Sequence, residues 1–316
     1  MALQILLFLT GLALIVFGAD YLVDGASAIA RRYGVSEFVI GMTIVGMGTS
    51  APEMVVSFIG AFQGNADIAV GNVIGSNIFN TLLILGLTAL ILPMATTRGN
   101  RRKDIPVNLV VTLLLIGLGL NFGLGGRGLG RIDGAVMLAL FALYIWSSFR
   151  WDDKSAQEAP QEEKPRRTWL CVLFILGGLA ALIGGGQLFV HSATTLARQL
   201  GVSDKFIAIT ILAGGTSMPE LATCVVAAAR KRTSLALGNI LGSNVFNILL
   251  ILGGSALITP LGFDAINWAD LGVLLVSAVL VCASLFLGRR RQLDRFDGAL
   301  LLGTWIAYML YLFLHL

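Results

Sequence analysis

Two glutamates in this chain sit where a carboxylate is costly. Glu53 and Glu220 lie deep within apolar stretches, and each closes the same hexapeptide, Gly-Thr-Ser-x-Pro-Glu, at residues 48–53 and 215–220. An ionised side chain at the centre of a bilayer costs at least about 2.5–3.5 kcal/mol, so an acid in such a place carries a functional expectation. The ordinary way to keep a buried glutamate is to pair it with Arg or Lys, yet no Lys or Arg falls inside any apolar stretch here. Protons or metal cations remain as the neutralising charge. A proline within a helix frees the carbonyl four residues back, here that of Gly48 or Gly215. Thr49, Ser50 and Glu53, like Thr216, Ser217 and Glu220, stand at i, i+1 and i+4, which can bring hydroxyl oxygens close to the carboxylate. Carboxylate, hydroxyl and carbonyl oxygens together are hard ligands, suited to Ca2+ or Na+.

A second motif, Gly-Asn-x-x-Gly-Ser-Asn-x-Phe-Asn, also occurs twice, at 71–80 and 238–247. Ser76 and Asn80 are i, i+4 neighbours on one helix face, as are Ser243 and Asn247. Asn72 and Asn239 extend that polar stripe by a turn. Asn80 and Asn247 are expected to line the site, whereas Asn77 and Asn244 point elsewhere on the helix and are expected to hydrogen-bond backbone. The motif glycines (Gly71, Gly75, Gly238 and Gly242) permit close helix approach.

The elements that must position these residues are membrane spans. Of 316 residues 56% are hydrophobic and 13% charged, with a mean hydropathy of +0.85, too few charges to cover a soluble protein of this length. Ten apolar runs long enough to cross a bilayer fall near 3–21, 38–62, 68–92, 106–122, 133–149, 169–190, 206–229, 235–258, 269–287 and 297–314. The first has no basic segment before it and is expected to stay as a span rather than act as a leader. With ten spans the loops alternate sides, and 18 of the 22 Lys and Arg fall on the side of the 150–167 linker. The bias of basic residues toward the cytoplasm then puts the linker inside and both termini outside. The basic surplus is a topology signal, and no nucleic-acid partner or obligatory protein partner is expected.

The chain is also two copies of one unit. Residues 34–93 align with 201–260 at a constant offset of 167 without a gap, and 29 of the 60 positions are identical. The expected fold is therefore all-α: ten transmembrane helices as two five-helix repeats, 1–149 and 168–316, joined by a cytoplasmic linker at 150–167. Five is odd, so the copies enter the membrane from opposite sides and are inverted, as in many secondary transporters whose sites lie near the midplane at interrupted helices. No Ser-His-Asp, HExxH, CxxC or phosphate-loop pattern appears, so neither hydrolysis nor ATP-driven pumping is expected, nor any cofactor.

At this point the chain resembles the cation/Ca2+ exchanger superfamily, and within it the bacterial YrbG-type and archaeal sodium/calcium exchangers. Two halves, each with a GTSxPE-type motif on its second span and a GSNxFN-type motif on its third, carry the resemblance over the full length. It implies a central cluster of four ion sites with Glu53 and Glu220 as shared ligands. Thr49, Ser50, Thr216 and Ser217 would complete the Na+ and Ca2+ shells, with the backbone carbonyls of Gly46 and Ala213. Ser76, Asn80, Ser243 and Asn247 match the remaining site positions, and spans 1 and 6 would slide as a gating pair. Some relatives carry Asp where this chain has Asn247, and its absence here disfavours potassium co-transport. The expectation is Na+/Ca2+ antiport by alternating access, with a Ca2+/H+ antiporter and a passive cation channel as the competing readings.

Overall fold

In a bilayer every backbone amide must be satisfied within the protein, and this chain does so with helices. The computed structural model describes residues 1–121, 127–152, 167–201, 214–263, 266–287 and 292–315. Helix α1 (Ala2–Tyr33) is followed by α2 (Glu37–Thr49) and α3 (Ala51–Phe62), which meet at a bend of 48°. Then come α4 (Ala66–Ile91), strand β1 (Met94–Ala95), the short α5 (Arg98–Arg102) and α6 (Asp104–Gly119). Strand β2 (Gly128–Leu129) leads into α7 (Arg131–Arg150). Beyond the linker lie α8 (Thr168–Gln199), α9 (Met218–Ala229) and α10 (Thr233–Ile258). Strand β3 (Leu261–Gly262), α11 (Trp268–Leu287), β4 (Gln292–Leu293) and α12 (Arg295–His315) complete the order.

Seven of these helices are long and apolar enough to cross a membrane, and the bent pair α2–α3 makes an eighth. The two other expected spans are shorter in the described residues. Helix α6 has 16 residues, and α9 has 12; residues 202–213, which would open span 7, lie outside the described region, as does most of the linker.

Local chemistry explains where the helices begin. Ser36 caps α2 by accepting from Val39 N at 3.2 Å, and the side chain of Asn65 does the same for α4 from Ile68 N at 3.4 Å. Asp133 and Asp297, at the mouths of α7 and α12, accept from the backbone amides of Gly130 (2.7 Å) and Asp294 (3.0 Å), so both are caps.

The packing divides into a sheath and a core. Helix α10 is buried along nearly its whole length, whereas α12 turns most of its surface outward. Helices α1 and α8, 32 residues each, run antiparallel and cross so closely that a Cβ on Gly18 would lie 2.8 Å from the Gly178 carbonyl oxygen. At the centre, α10 presses its glycines onto the first half of the bent span. A Cβ on Gly238 would sit 2.2 Å from the Phe38 carbonyl oxygen, and one on Gly242 would sit 2.2 Å from that of Met42. No side chain fits there, which accounts for the glycines of the second motif in this half.

Two antiparallel ribbons tie loops together. β1 pairs with β4 (Met94 opposite Leu293), and β2 pairs with β3 (Gly128 opposite Gly262). Helix α11 runs from β3 to β4, and its 20 residues span about 30 Å, so the ribbons lie at opposite ends of that helix. β1 and β3 occupy equivalent positions of the sequence repeat at the 167 offset.

Candidate ion-binding site

The bent span and its counterpart build the site from the same local geometry. Ser50 has φ −80° and ψ 9°, and Ser217 has φ −88° and ψ 10°. Each serine ends one segment, and a new helix starts behind it with Pro52 or Pro219 in the first turn. There the missing amide hydrogen costs no hydrogen bond. The proline thus begins a helix rather than kinking a continuous one. Glu53 and Glu220 stand in the first turns of α3 and α9, where the positive end of the helix offsets part of the cost of a buried carboxylate.

Both carboxylates are fully buried, and among the described residues no Lys or Arg contacts either one. Their hydroxyl partners are crossed between the halves. Ser50 Oγ donates to Glu220 Oε1 at 2.8 Å, and Ser217 Oγ donates to Glu53 Oε1 at 2.9 Å. Thr49 lies beside Glu220 and Thr216 beside Glu53 in the same sense. The spacing within one motif had suggested that each Ser-Thr pair serves its own glutamate; the structure corrects this for the serines. The broken helix turns Ser50 away from its own first turn and toward the opposite half.

The neighbouring helices supply further oxygens. Ser243 Oγ donates to the Gly46 carbonyl at 3.2 Å, and Thr49 Oγ1 approaches that carbonyl at 3.3 Å and Asn239 Oδ1 at 3.2 Å. Ser76, Asn80 and Asn247 are buried in the core. Ala213, the expected counterpart of Gly46, lies outside the described residues. At Phe79–Ile84 in α4 and Phe246–Leu252 in α10 the helix widens into π-turns, which begin one residue before Asn80 and Asn247. Such turns concentrate at functional sites because they re-aim the side chains they carry. The buried polar atoms that receive no hydrogen bond include four acceptors of the two motifs: Glu53 Oε2, Glu220 Oε2, Asn80 Oδ1 and Asn247 Oδ1. They form two pairs under the repeat.

Motif spacing marks the asparagines around the site but not their partners. Asn72 Nδ2 donates to the Glu53 carbonyl (3.1 Å) and to Ser57 Oγ (3.0 Å), bracing α3 against α4. Its counterpart Asn239 reaches Cys224 at 3.3 Å. Asn77 donates to backbone as expected, but Asn244 Nδ2 donates to the Thr81 hydroxyl instead, at 2.8 Å. Nothing in the motif spacing points to the partners Ser57, Cys224 and Thr81.

A cavity of about 590 Å3 lies against both motifs, lined by Pro52, Val55, Gly215, Thr216, Pro219 and His191, and it extends to Arg198 near the end of α8. At the linker end Arg230, just after α9, pairs with Asp20 and Asp24 of α1. Arg232 bonds Glu37 at the start of α2 at 2.9 Å, with both side chains largely buried. These pairs strap the second half to the first on that side.

If the crossed pairs matter to ion binding, Ser50→Ala and Ser217→Ala each raise the half-saturating Ca2+ concentration about tenfold, the effect of one charge-assisted hydrogen bond. A double-mutant cycle places the coupling of Ser217 on Glu53 and not on Glu220. Isothermal titration of the purified variants measures both.

The arrangement is a buried, two-carboxylate, oxygen-rich centre at equivalent positions of the two repeats. The sodium/calcium exchanger protein family model matches residues 3–150 and again 170–314, and the chain belongs to that family, within the cation/Ca2+ exchanger superfamily. It is 41% identical to a putative antiporter, CaxA, of Alkalimonas amylolytica, over 96% of this chain and 97% of that protein. It is 36% identical to the inner membrane protein YrbG of Escherichia coli, over 99% and 98%. A solved structure of the sodium-calcium exchanger NCX_Mj superposes with a TM-score of 0.84 at 31% identity, covering 98% of this chain and 99% of that one. The protein is a multi-pass membrane antiporter for cations, of the Ca2+ exchanger type.

Proposed function

We propose that the protein exchanges Na+ for Ca2+ by alternating access, with Glu53, Glu220, Asn80 and Asn247 at the centre of the site. The observation that carries this reading is the set of four buried acceptor oxygens without a donor. A buried polar atom left unsatisfied costs about 1–3 kcal/mol, more when it is charged, so two repeat-related pairs of them in the buried motifs point to a cation as the missing partner. Two glutamates carry two formal negative charges, which one Ca2+ or two or more Na+ can offset. Thr49, Ser50, Thr216, Ser217, Ser76, Ser243 and the Gly46 and Ala213 carbonyls complete the oxygen shells in this proposal.

The fold supports the finer architecture as well: ten spans as two inverted halves, 1–149 and 168–316, around the linker at 150–167. Equivalent strands of the repeat lie at opposite ends of α11, the relation that inversion requires. With the linker cytoplasmic, the cavity opens outward, and the Arg230 and Arg232 pairs close the cytoplasmic side. The α1–α8 pair, longer than one bilayer crossing, is the element we assign to gating.

The decisive measurement is uptake of radiolabelled Ca2+ into proteoliposomes under an imposed Na+ gradient. Na+-dependent uptake at carrier rates supports the proposal. Uptake that follows a pH gradient and ignores Na+ selects Ca2+/H+ antiport, and conductance at channel rates overturns a carrier altogether.

A further inference from the structure

The two site asparagines can face a cation only if their amides are turned oxygen-first, and nothing in their own shape ensures that. Rotating an amide by half a turn exchanges O for NH2 with little change in volume. A rotated amide would present hydrogens to the ion.

We infer that Asn77 and Asn244 are positioning residues that lock the amides of Asn247 and Asn80 with their oxygens toward the ion, and that Asn77 thereby selects Asn over Asp at position 247. The inference rests on the ion site proposed above. Asn77 Nδ2 donates to the backbone carbonyl of Asn244 at 3.1 Å. A carbonyl can only accept, so the nitrogen end of the Asn77 amide is fixed by the main chain. Its Oδ1 is left as an acceptor, and Asn247 Nδ2 fills it at 3.0 Å. Asn247 then has its nitrogen engaged, and its Oδ1 stays buried without a donor. The second arm runs through a hydroxyl, which can donate as well as accept and so fixes its amide less firmly. Asn244 Nδ2 donates to Thr81 Oγ1 at 2.8 Å, its Oδ1 accepts from Asn80 Nδ2 at 3.5 Å, and Asn80 Oδ1 is left without a donor. Each orienting bond crosses between the halves.

A carboxylate at position 247 would set an oxygen against Asn77 Oδ1, which cannot turn without abandoning the Asn244 carbonyl. Asn77 therefore holds the site at the two formal charges of Glu53 and Glu220. The 3.0 Å arm is built more tightly than the 3.5 Å arm, so Asn77 outweighs Asn244.

The experiment measures Ca2+-dependent transport of the full-length protein in liposomes, taking half-saturation and maximal rate separately. Asn77→Ala is expected to raise the half-saturating Ca2+ concentration about tenfold with a maximal rate within about threefold of the parent, the signature of a lost ligand orientation. Asn244→Ala moves it in the same direction by less. Asn247→Asp is expected to impair transport in the parent and to recover about tenfold in the Asn77→Ala background, because the opposing oxygen is gone. A merely structural role predicts additive losses instead. Should the alanine variant not reach the membrane, Asn77→Ser carries the same measurement. Unchanged half-saturation in Asn77→Ala, or equal impairment by Asn247→Asp in both backgrounds, overturns the inference. Glu53→Gln is the separate control: its inactivity beside a silent Asn77→Ala removes this inference alone, while full activity of Glu53→Gln removes the ion site on which it stands.

Discussion

Proteoliposomes carrying Glu53→Gln or Glu220→Gln are expected to take up no Ca2+ above protein-free vesicles. The size of the effect follows from charge. At an effective dielectric of about 20, a divalent ion about 4 Å from one carboxylate gains roughly 8 kcal/mol of Coulomb energy, much of it spent on desolvating the ion. If only a third of that survives as net binding, losing one carboxylate weakens Ca2+ by about a hundredfold. The substitution keeps the side-chain shape and the acceptor for the crossed serine, so the variants should fold. Removing an unpaired buried charge tends to stabilise, and their thermal midpoints should equal or exceed that of the parent without Ca2+. Folded variants that still exchange at the parent rate would sink the assignment of both residues, since the two are equivalent in the repeat and crossed in their contacts.

Gly242→Ala is the substitution expected to do the greatest damage away from the carboxylates. The added Cβ would meet the Met42 carbonyl oxygen at 2.2 Å and Met42 Cα at 2.5 Å, so backbone rather than a flexible side chain must give. Overpacking a tight core costs about 1–3 kcal/mol, and a clash with main chain lies at the upper end. The expected outcome is a thermal midpoint lowered by several degrees and little monodisperse protein in detergent. Gly303→Ala on α12, where nothing lies within 4 Å of the added atom, serves as the tolerated control. A Gly242→Ala protein as stable as the parent would show that α10 can move off the bent span at no cost.

Much of this was legible in the sequence, and the reasons are physical. Hydropathy reports spans because lipid admits few alternatives to helix, and eight of ten expected spans have their helices within the described residues. The repeat reported Glu53 and Glu220, because an acid with no basic neighbour stands out in apolar sequence. Identical copies, however, cannot say which copy's serine meets which glutamate; only the packed halves decide that Ser217 faces Glu53. The π-turns before Asn80 and Asn247 left no mark on the sequence, since widening a turn changes bonds and not composition. The same is true of Asn77 and Asn244, whose helix positions predict a direction away from the stripe but not an amide hooked onto the opposite half.

The crossed serines also set a clock on the protein's birth. Glu53 and Ser217 are separated by 164 positions. At a synthesis rate of about 5–20 residues per second, Glu53 is made roughly eight to thirty-three seconds before its donor. Until then the first half lacks the hydroxyl that meets Glu53 in the folded protein. A ribosome stalled in the linker would therefore leave a nascent chain whose site does not yet exist, and quality control has a natural moment at which to see it.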